Sequence, residues 1–209
     1  MKLIENMNWR YATKQFDSEK KVSQTDIEQL KESIRLSASS YGLQLYKVLI
    51  IENEAIKKQL KPVSYDQGQI TDASHLFVFC NYSNTNDSHI DEYLKLKANI
   101  QGLKIDDLQG YGGFIKESLS YKSNEEKKTW TAKQTYIALA NLLIASSELK
   151  IDTCPIEGFE AEKYNEILGL NNKELNASVL VAVGYRSTKD QSQFAAKVRK
   201  SKEILFEEI

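Results

Sequence analysis

The sequence predicts an α+β fold in which a few short strands alternate with helices. Three apolar, β-branched runs have the length of strands: 46–51, 75–80 and 178–183. Between them, apolar residues recur at helical spacing behind N-terminal caps. No internal repeat or linker rich in Pro, Gly or Ser divides the chain, so residues 1–209 are expected to form one domain.

Helix and turn signals set the order of the elements in the first half of the chain. Ser23 with Asp26 and Thr25 with Glu28 are overlapping capping boxes, and either could begin the second helix. The glycines of Leu108–Gly113 predict a loop. The expected order is a helix at 3–9, a loop at 10–21, a helix ending near 37, a buried strand at 46–51, a helix at 54–60, a strand at 75–80 and a helix at 88–104.

One long helix is predicted to dominate the second half. The capping box of Ser123 and Glu126 begins it, and it runs to about Lys150, where residues 152–155 stop it. The segment 137–145 is apolar on all sides, which is typical of a helix buried in a large core or an oligomer interface. This favours a dimer, although such a helix can also be buried within its own subunit. A helix at 160–168, a strand at 178–183 and a polar tail at 186–209 follow.

Composition excludes several classes of protein. Lys plus Arg number 28 and Asp plus Glu 29, and the net charge of −1 argues against a nucleic-acid or polyanion binder. No apolar stretch approaches the roughly 20 residues of a transmembrane helix, and Met1–Asn6 lacks the apolar core of a signal peptide. Cys80 and Cys154 stand far apart without metal-ligating neighbours, so we expect no disulfide framework, no metal site and a cytoplasmic setting.

Four segments could carry chemistry. Arg10 and Lys14 are cations four residues apart in a loop, a pair that suits a phosphate monoester, and the basic residues at 197–199 could join them. Residues 39–44 place hydroxyls, a glycine and free amides between a helix and a strand. Residues 154–159 combine a proline with a glycine that lets backbone approach a flat ligand. Taken singly, the segments at 10–14, 39–44 and 197–199 are explained better by a solvated loop, a turn and a basic tail, and 154–159 is explained equally well by the end of a helix.

Taken together and in order, these segments resemble the nitroreductase family of FMN-dependent NAD(P)H oxidoreductases. The similarity runs from about Asn8 to Arg199, nearly the whole chain. Six motifs in this order outweigh the structural alternative for each one. The motifs are Arg10–Asp17, Ser39–Gln44, Asp72–Leu76, Trp130–Gln134, Pro155–Phe159 and Val183–Arg186.

The resemblance implies a sandwich-like α+β fold with a mostly antiparallel central sheet surrounded by helices. It also implies an intertwined homodimer with one FMN in each of two interface sites. NADH or NADPH is the implied reductant, and hydride passes through flavin N5 to nitroaromatics, quinones or similar small acceptors in ping-pong order. Because the flavin carries the chemistry, no side chain is predicted to be catalytic.

The resemblance also implies a set of site residues. Arg10, Lys197 and Arg199 would contact the FMN phosphate, and Lys14 would lie near the pyrimidine end of the ring. The cofactor-binding residues implied are Arg10, Tyr11, Ala12, Lys14, Ser39, Ser40, Tyr41, Gly42, Gln44, Asp66, Gln67, Gln69, Pro155, Ile156, Glu157, Gly158, Lys197 and Arg199. The candidate substrate-pocket aromatics are Tyr41, Tyr111 and Phe114, with packing as the alternative for the last two.

Two departures from the family pattern fall at the predicted ring edge. Asp66 stands where many relatives have asparagine, and Gln69 where better-known members have a lysine nearby. Both reduce donor or positive character, because an ionised carboxylate cannot donate a hydrogen bond. Two alternatives stay open: another reductase on the same scaffold, such as a dihydropteridine or enone reductase, and, because of these departures, a non-enzymatic flavin-binding protein.

Overall fold

The computed structural model describes residues 1–209 and places four strands in one antiparallel sheet with the order β1-β2-β4-β3. The strands are β1 (Tyr46–Ile51), β2 (His75–Tyr82), β3 (Asp152–Ile156) and β4 (Leu175–Gly184). Every neighbouring pair is antiparallel. The predicted α+β class and antiparallel sheet are therefore confirmed.

The fold has nine α-helices, and local caps explain where two of the longer ones begin. Ser23 Oγ accepts a hydrogen bond from Asp26 N (3.1 Å), so Ser23 rather than Thr25 begins the second helix. Ser123 and Glu126 form the predicted capping box. The helices are α1 (Lys2–Trp9), α2 (Gln24–Arg35), α3 (Glu54–Leu60), α4 (Gln69–Asp72), α5 (Asp87–Gln101), α6 (Gln109–Ser120), α7 (Asn124–Glu148), α8 (Ala161–Ile167) and α9 (Lys202–Leu205).

Helices cover both faces of the sheet. Successive side chains of a strand point to opposite faces, so Phe77 and Phe79 of β2 pack with α2 and α7. Leu76 and Val78 face the other way and pack with α3, α4 and α8, around the buried ring of Tyr164. This double coverage explains why β2 and β4 are continuous apolar runs. No helix combines the length and apolar character needed to cross a bilayer.

The prediction that 46–51 is a buried strand was wrong about its burial. β1 has the predicted bounds, but it is an edge strand and only Ile51 is buried. An apolar, β-branched run fits a half-exposed edge as well as a centre, because its composition does not report how many neighbours the strand has.

Two segments differ from their predictions: 152–155, expected only to stop the long helix, and 108–113, expected to be a loop, belong largely to regular structure. Residues 152–155 form most of β3, where Pro155 is tolerated because β3 is an edge strand. The glycine-containing segment 108–113 leads into and begins helix α6. Gly112 explains why: a Cβ at this position would clash with Leu94 Cδ1, so the missing side chain lets α6 lie close against α5. Packing between the two helices outweighs the low helix propensity of glycine.

Candidate functional site

A cationic cleft lies between the end of α1, the loop that follows it and the C-terminal tail. Two cavities of about 350 and 360 Å³ open there. The residues that line both are Asn8, Arg10, Lys197 and Arg199. Three residues predicted to bind one phosphate from opposite ends of the chain thus line a common cleft within one protomer.

The loop at residues 10–17 is held in place from two sides. Thr13 N donates to Thr153 O of β3 (3.1 Å), and Ser187 N, beyond β4, donates to Gln15 O (2.9 Å). The loop is therefore fixed by backbone hydrogen bonds to the sheet and to the segment that follows it. Its members that line the second cavity, besides Arg10, are Tyr11, Ala12 and Lys14.

No carboxylate neutralises the cations of this cleft. None of Arg10, Lys14, Lys197 and Arg199 forms an ion pair, and Arg10 Nε is buried without a hydrogen-bond partner. Burial and the charge of Arg199 lower the pKa of Arg10. Burial and the charges of Arg10 and Arg199 lower the pKa of Lys197. Mutually repelling, partly desolvated cations of this kind suit a dianion such as a phosphate monoester.

The predicted segment 39–44 forms a tight turn away from the cationic cleft. Tyr41, Gly42 and Gln44 all have positive φ (55°, 75° and 47°). Ser40 N donates to Gln134 Oε1 of α7 (2.8 Å), while the side-chain amide of Gln44 donates to Arg35 O (2.8 Å). The members of this turn lie together, but none lines either cavity that contains Arg10. Within one protomer the structure does not bring this segment, Ser39 included, to the cleft.

The two segments predicted at the edge and the face of a ring do meet. Gln67 Nε2 donates to Gly158 O (2.7 Å), and Tyr65 and Asp66 turn the chain through left-handed conformations just before it. Gln69 is buried at the start of α4. Pro155 and Ile156 end β3, and the next residue, Glu157, accepts a 2.6 Å hydrogen bond from Tyr136 of α7.

Two of the three predicted substrate aromatics cluster. The rings of Tyr41 and Phe114 meet edge to face with centroids 6.2 Å apart, and Trp130 of α7 lies 6.4 Å from Tyr41. Tyr111 is placed differently: the Lys97 ammonium lies 4.6 Å from the centre of its ring. The aromatic cluster is thus Tyr41, Phe114 and Trp130, and Tyr111 contributes to packing between α5 and α6.

Sequence reasoning missed three residues beside these segments: Trp130, Tyr136 and Asp190. Trp130 lies in a motif that carried the family resemblance, but its helix gave no sign that it would face Tyr41. Tyr136 had no signal, because its partner Glu157 is 21 positions away. Asp190 is buried against the loop 10–15, which lies some 175 positions earlier in the chain. Such pairings follow from tertiary structure and leave no local pattern.

The chain is similar in sequence to known proteins over most of its length. The profile of the Nitroreductase family matches residues 7–185. A predicted NAD(P)H nitroreductase of Staphylococcus haemolyticus is 36% identical over 223 residues, an alignment that covers 98% of this chain and 96% of that protein.

Solved structures share the fold. A predicted nitroreductase of Exiguobacterium sibiricum in complex with FMN superposes with a TM-score of 0.84 at 19% identity, covering 99% of this chain and 97% of that one. CLA-ER, an enone reductase of gut-bacterial fatty acid saturation, gives 0.83 at 16% identity, with 99% and 97% covered. At these identities the likeness shows the fold alone.

Proposed function

The chain belongs to the nitroreductase family, as its motifs predicted, and on this premise we propose that it is an FMN-dependent NAD(P)H oxidoreductase. When bound, FMN supplies the hydride chemistry that links a nicotinamide donor to a nitroaromatic, quinone or similar small acceptor. The side chains of the protein bind and orient the reactants, which use the site one after the other in ping-pong order. Residues 1–209 act as one domain in this proposal.

The observation that carries the proposal is the unneutralised cationic cleft. Arg10, Lys197 and Arg199 line it together, and the buried Arg10 Nε has no partner. A buried donor left without an acceptor is costly, so a ligand that accepts there is favoured. The phosphate of FMN fits this donor set, since arginine offers a planar fork and lysine a point charge to phosphate oxygens.

We assign the isoalloxazine ring to the segments next to this cleft. Residues 155–158 would pack on the face of the ring, and Asp66, Gln67 and Gln69 would line its pyrimidine edge. The hydrogen bond between Gln67 and Gly158 supports this assignment, because it holds the two segments together. Lys14 is exposed and without a carboxylate partner, so its charge is free to act on a bound ligand.

The proposal includes a homodimer. Ile137 and Ile144 of α7 and Ile4 of α1 expose large apolar side chains on the surface of one protomer. The tail at 186–209 also exposes apolar side chains, Ile204 and Phe206 among them. A second subunit would cover these surfaces, and its turn at 39–44 would reach the cofactor that this turn cannot reach in its own chain. The unpaired Cys80 and Cys154 support the predicted cytoplasmic setting.

The visible spectrum of the purified protein tests the proposal. We expect flavin absorbance, bleaching on anaerobic addition of NADH or NADPH, and recovery when a nitroaromatic or quinone is added. A colourless protein that takes up no FMN on reconstitution would overturn it. Bound flavin that neither nicotinamide bleaches would identify a flavin-binding protein without this activity. A panel with dihydropteridine and enone acceptors separates the remaining reductase classes.

A further inference from the structure

A buried carboxylate joins the two chain segments that carry the cations. Asp190 belongs to the tail, is 1% exposed and lies against the loop at 10–15. Its Oδ2 accepts hydrogen bonds from Lys14 N (2.8 Å), Tyr11 Oη (2.9 Å) and Gln15 N (3.3 Å). Its Oδ1 accepts a hydrogen bond from the backbone N of Ser192 (3.0 Å), two residues further along the tail. One side chain therefore binds both segments.

Asp190 holds these segments as an anion. Burial opposes its ionisation, but the amides of Lys14 and Ser192 and the Tyr11 hydroxyl donate to the charged form and leave the pKa of Asp190 below its usual value. Asp190 makes no ion pair with any cation of the cleft. Its contacts are with backbone amides and one phenol, so it fixes the path of the chain without neutralising the anion site.

The tail has a second attachment that brings the cations close. Lys197 Nζ donates to Met7 O (2.5 Å) and to Arg10 O, carbonyls at the end of α1. A cation at a helix C-terminus is favourable, and α1 has no basic residue of its own in the last turn. These two hydrogen bonds act against the repulsion among Arg10, Lys197 and Arg199, which no ion pair with a carboxylate offsets.

We propose that Asp190 is the positioning residue of the phosphate subsite. By clamping the tail at 191–199 to the loop at 10–15, it keeps Arg10, Lys197 and Arg199 together before the ligand arrives, so that the repulsion among them is already overcome when FMN binds. Asp190 thereby sets the preference of the protein for FMN over riboflavin, which has the same ring and no phosphate. This inference rests on the proposed function.

The test compares the dissociation constants of FMN and riboflavin for the dimeric apoprotein and its variants. Asp190→Ala should lower the preference for FMN at least about tenfold, the size of one hydrogen bond to a charged group, and change riboflavin binding little. Tyr11→Phe keeps the ring and removes one of the four donors, so it should lower the preference by a smaller factor and fold normally. Asp17→Ala is the matched control, since Asp17 contacts Glu19 and Lys20 in the same loop but no part of the tail.

The outcomes separate the explanations. If the acid acted only through its charge, Asp190→Ala would strengthen FMN binding, because removing an anion near cations favours phosphate. If the binding of FMN and of riboflavin weakened by the same factor, the role of Asp190 would be merely structural. If neither dissociation constant changed in either variant, Asp190 would have no part in the subsite. Each of these results overturns the inference. A wild-type protein that binds neither flavin would instead overturn the proposed function.

Discussion

The side-chain Nε2 of Gln67 donates a 2.7 Å hydrogen bond to the carbonyl oxygen of Gly158, which lies 91 positions further along the chain. The same nitrogen donates to Ser64 O (3.0 Å), so both amide hydrogens are used within the protein. Gln67 thus supports the turn that precedes α4 and the turn that follows β3. In the proposed function these two turns bind the edge and the face of one ring.

Gln67→Met should weaken the binding of FMN and riboflavin by the same factor, about three- to tenfold, because it loosens the ring-binding turns and leaves the phosphate subsite intact. Fluorescence titration of the apoprotein with each flavin measures both constants. Gln24→Met is the control, since the Gln24 amide contacts only Glu28 on the exposed face of α2. A selective loss of FMN binding would contradict the assignment of this segment to the ring.

Arg10→Ala should weaken FMN binding at least about tenfold while leaving the apoprotein as stable as before. The guanidinium lies beside Arg199 without a carboxylate partner, so its removal relieves repulsion within the apoprotein. Flavin content after purification and the thermal midpoint of the apoprotein check the two halves of this expectation. Arg35→Ala, which removes an arginine paired with Glu32 on the exposed face of α2, should change neither flavin content nor affinity. Undiminished flavin content in Arg10→Ala would remove Arg10 from the phosphate subsite.

Local signals predicted the helices whose N-terminal caps are formed by residues close together in the sequence. The Ser123 capping box and the capping signal of Ser23 with Asp26 gave α7 and α2 close to their true bounds. The cationic cleft was also predictable, because the family resemblance implies one phosphate site for Arg10, Lys197 and Arg199. For the two helices, the deciding interactions lie within one turn of the chain.

The predictions failed where the structure of a segment depends on contacts with residues far away in the sequence. Gly112 is helical because Leu94 of another helix needs its space, and Pro155 is in a strand because β4 lies beside it. Asp190 is an ordinary tail residue in the sequence and becomes the clamp only when the tail returns to Tyr11. Sequence spacing carries no record of such contacts, so these features required the folded structure.

Gly112→Ala and Gly113→Ala should have opposite effects on the free energy of unfolding. Gly113 is exposed with open space around it, so alanine there should stabilise α6 by up to about 1 kcal/mol. At Gly112 the added methyl would clash with the buried Leu94, and overpacking should lower the free energy of unfolding by about 1 kcal/mol. Urea denaturation of both variants measures the difference.

The explanation for Gly112 has its own check. Adding Leu94→Ala to Gly112→Ala should cost less than the sum of the two single changes, because the shortened side chain no longer meets the new methyl. Strict additivity, or a stabilising Gly112→Ala, would mean that α5 and α6 do not approach each other closely at this point.

The Tyr136–Glu157 hydrogen bond predicts that folding stability depends on pH through the Tyr136 phenol. The pKa of Tyr136 is raised from 10.0 to about 12. Burial is the largest cause, followed by the hydrogen bond to Glu157 and then by the charge of Glu157. Because the pKa is raised in the folded state, the contribution of protonated Tyr136 to folding stability is complete below pH 10 and is lost as pH rises through 12. The difference in tyrosinate absorbance between wild type and Tyr136→Phe isolates this phenol from the other tyrosines. Glu157→Gln keeps an acceptor but removes the charge, so the Tyr136 pKa should fall toward 10.0. An ordinary midpoint in the wild type would show that Glu157 does not tie the ring-binding turn to α7 in solution.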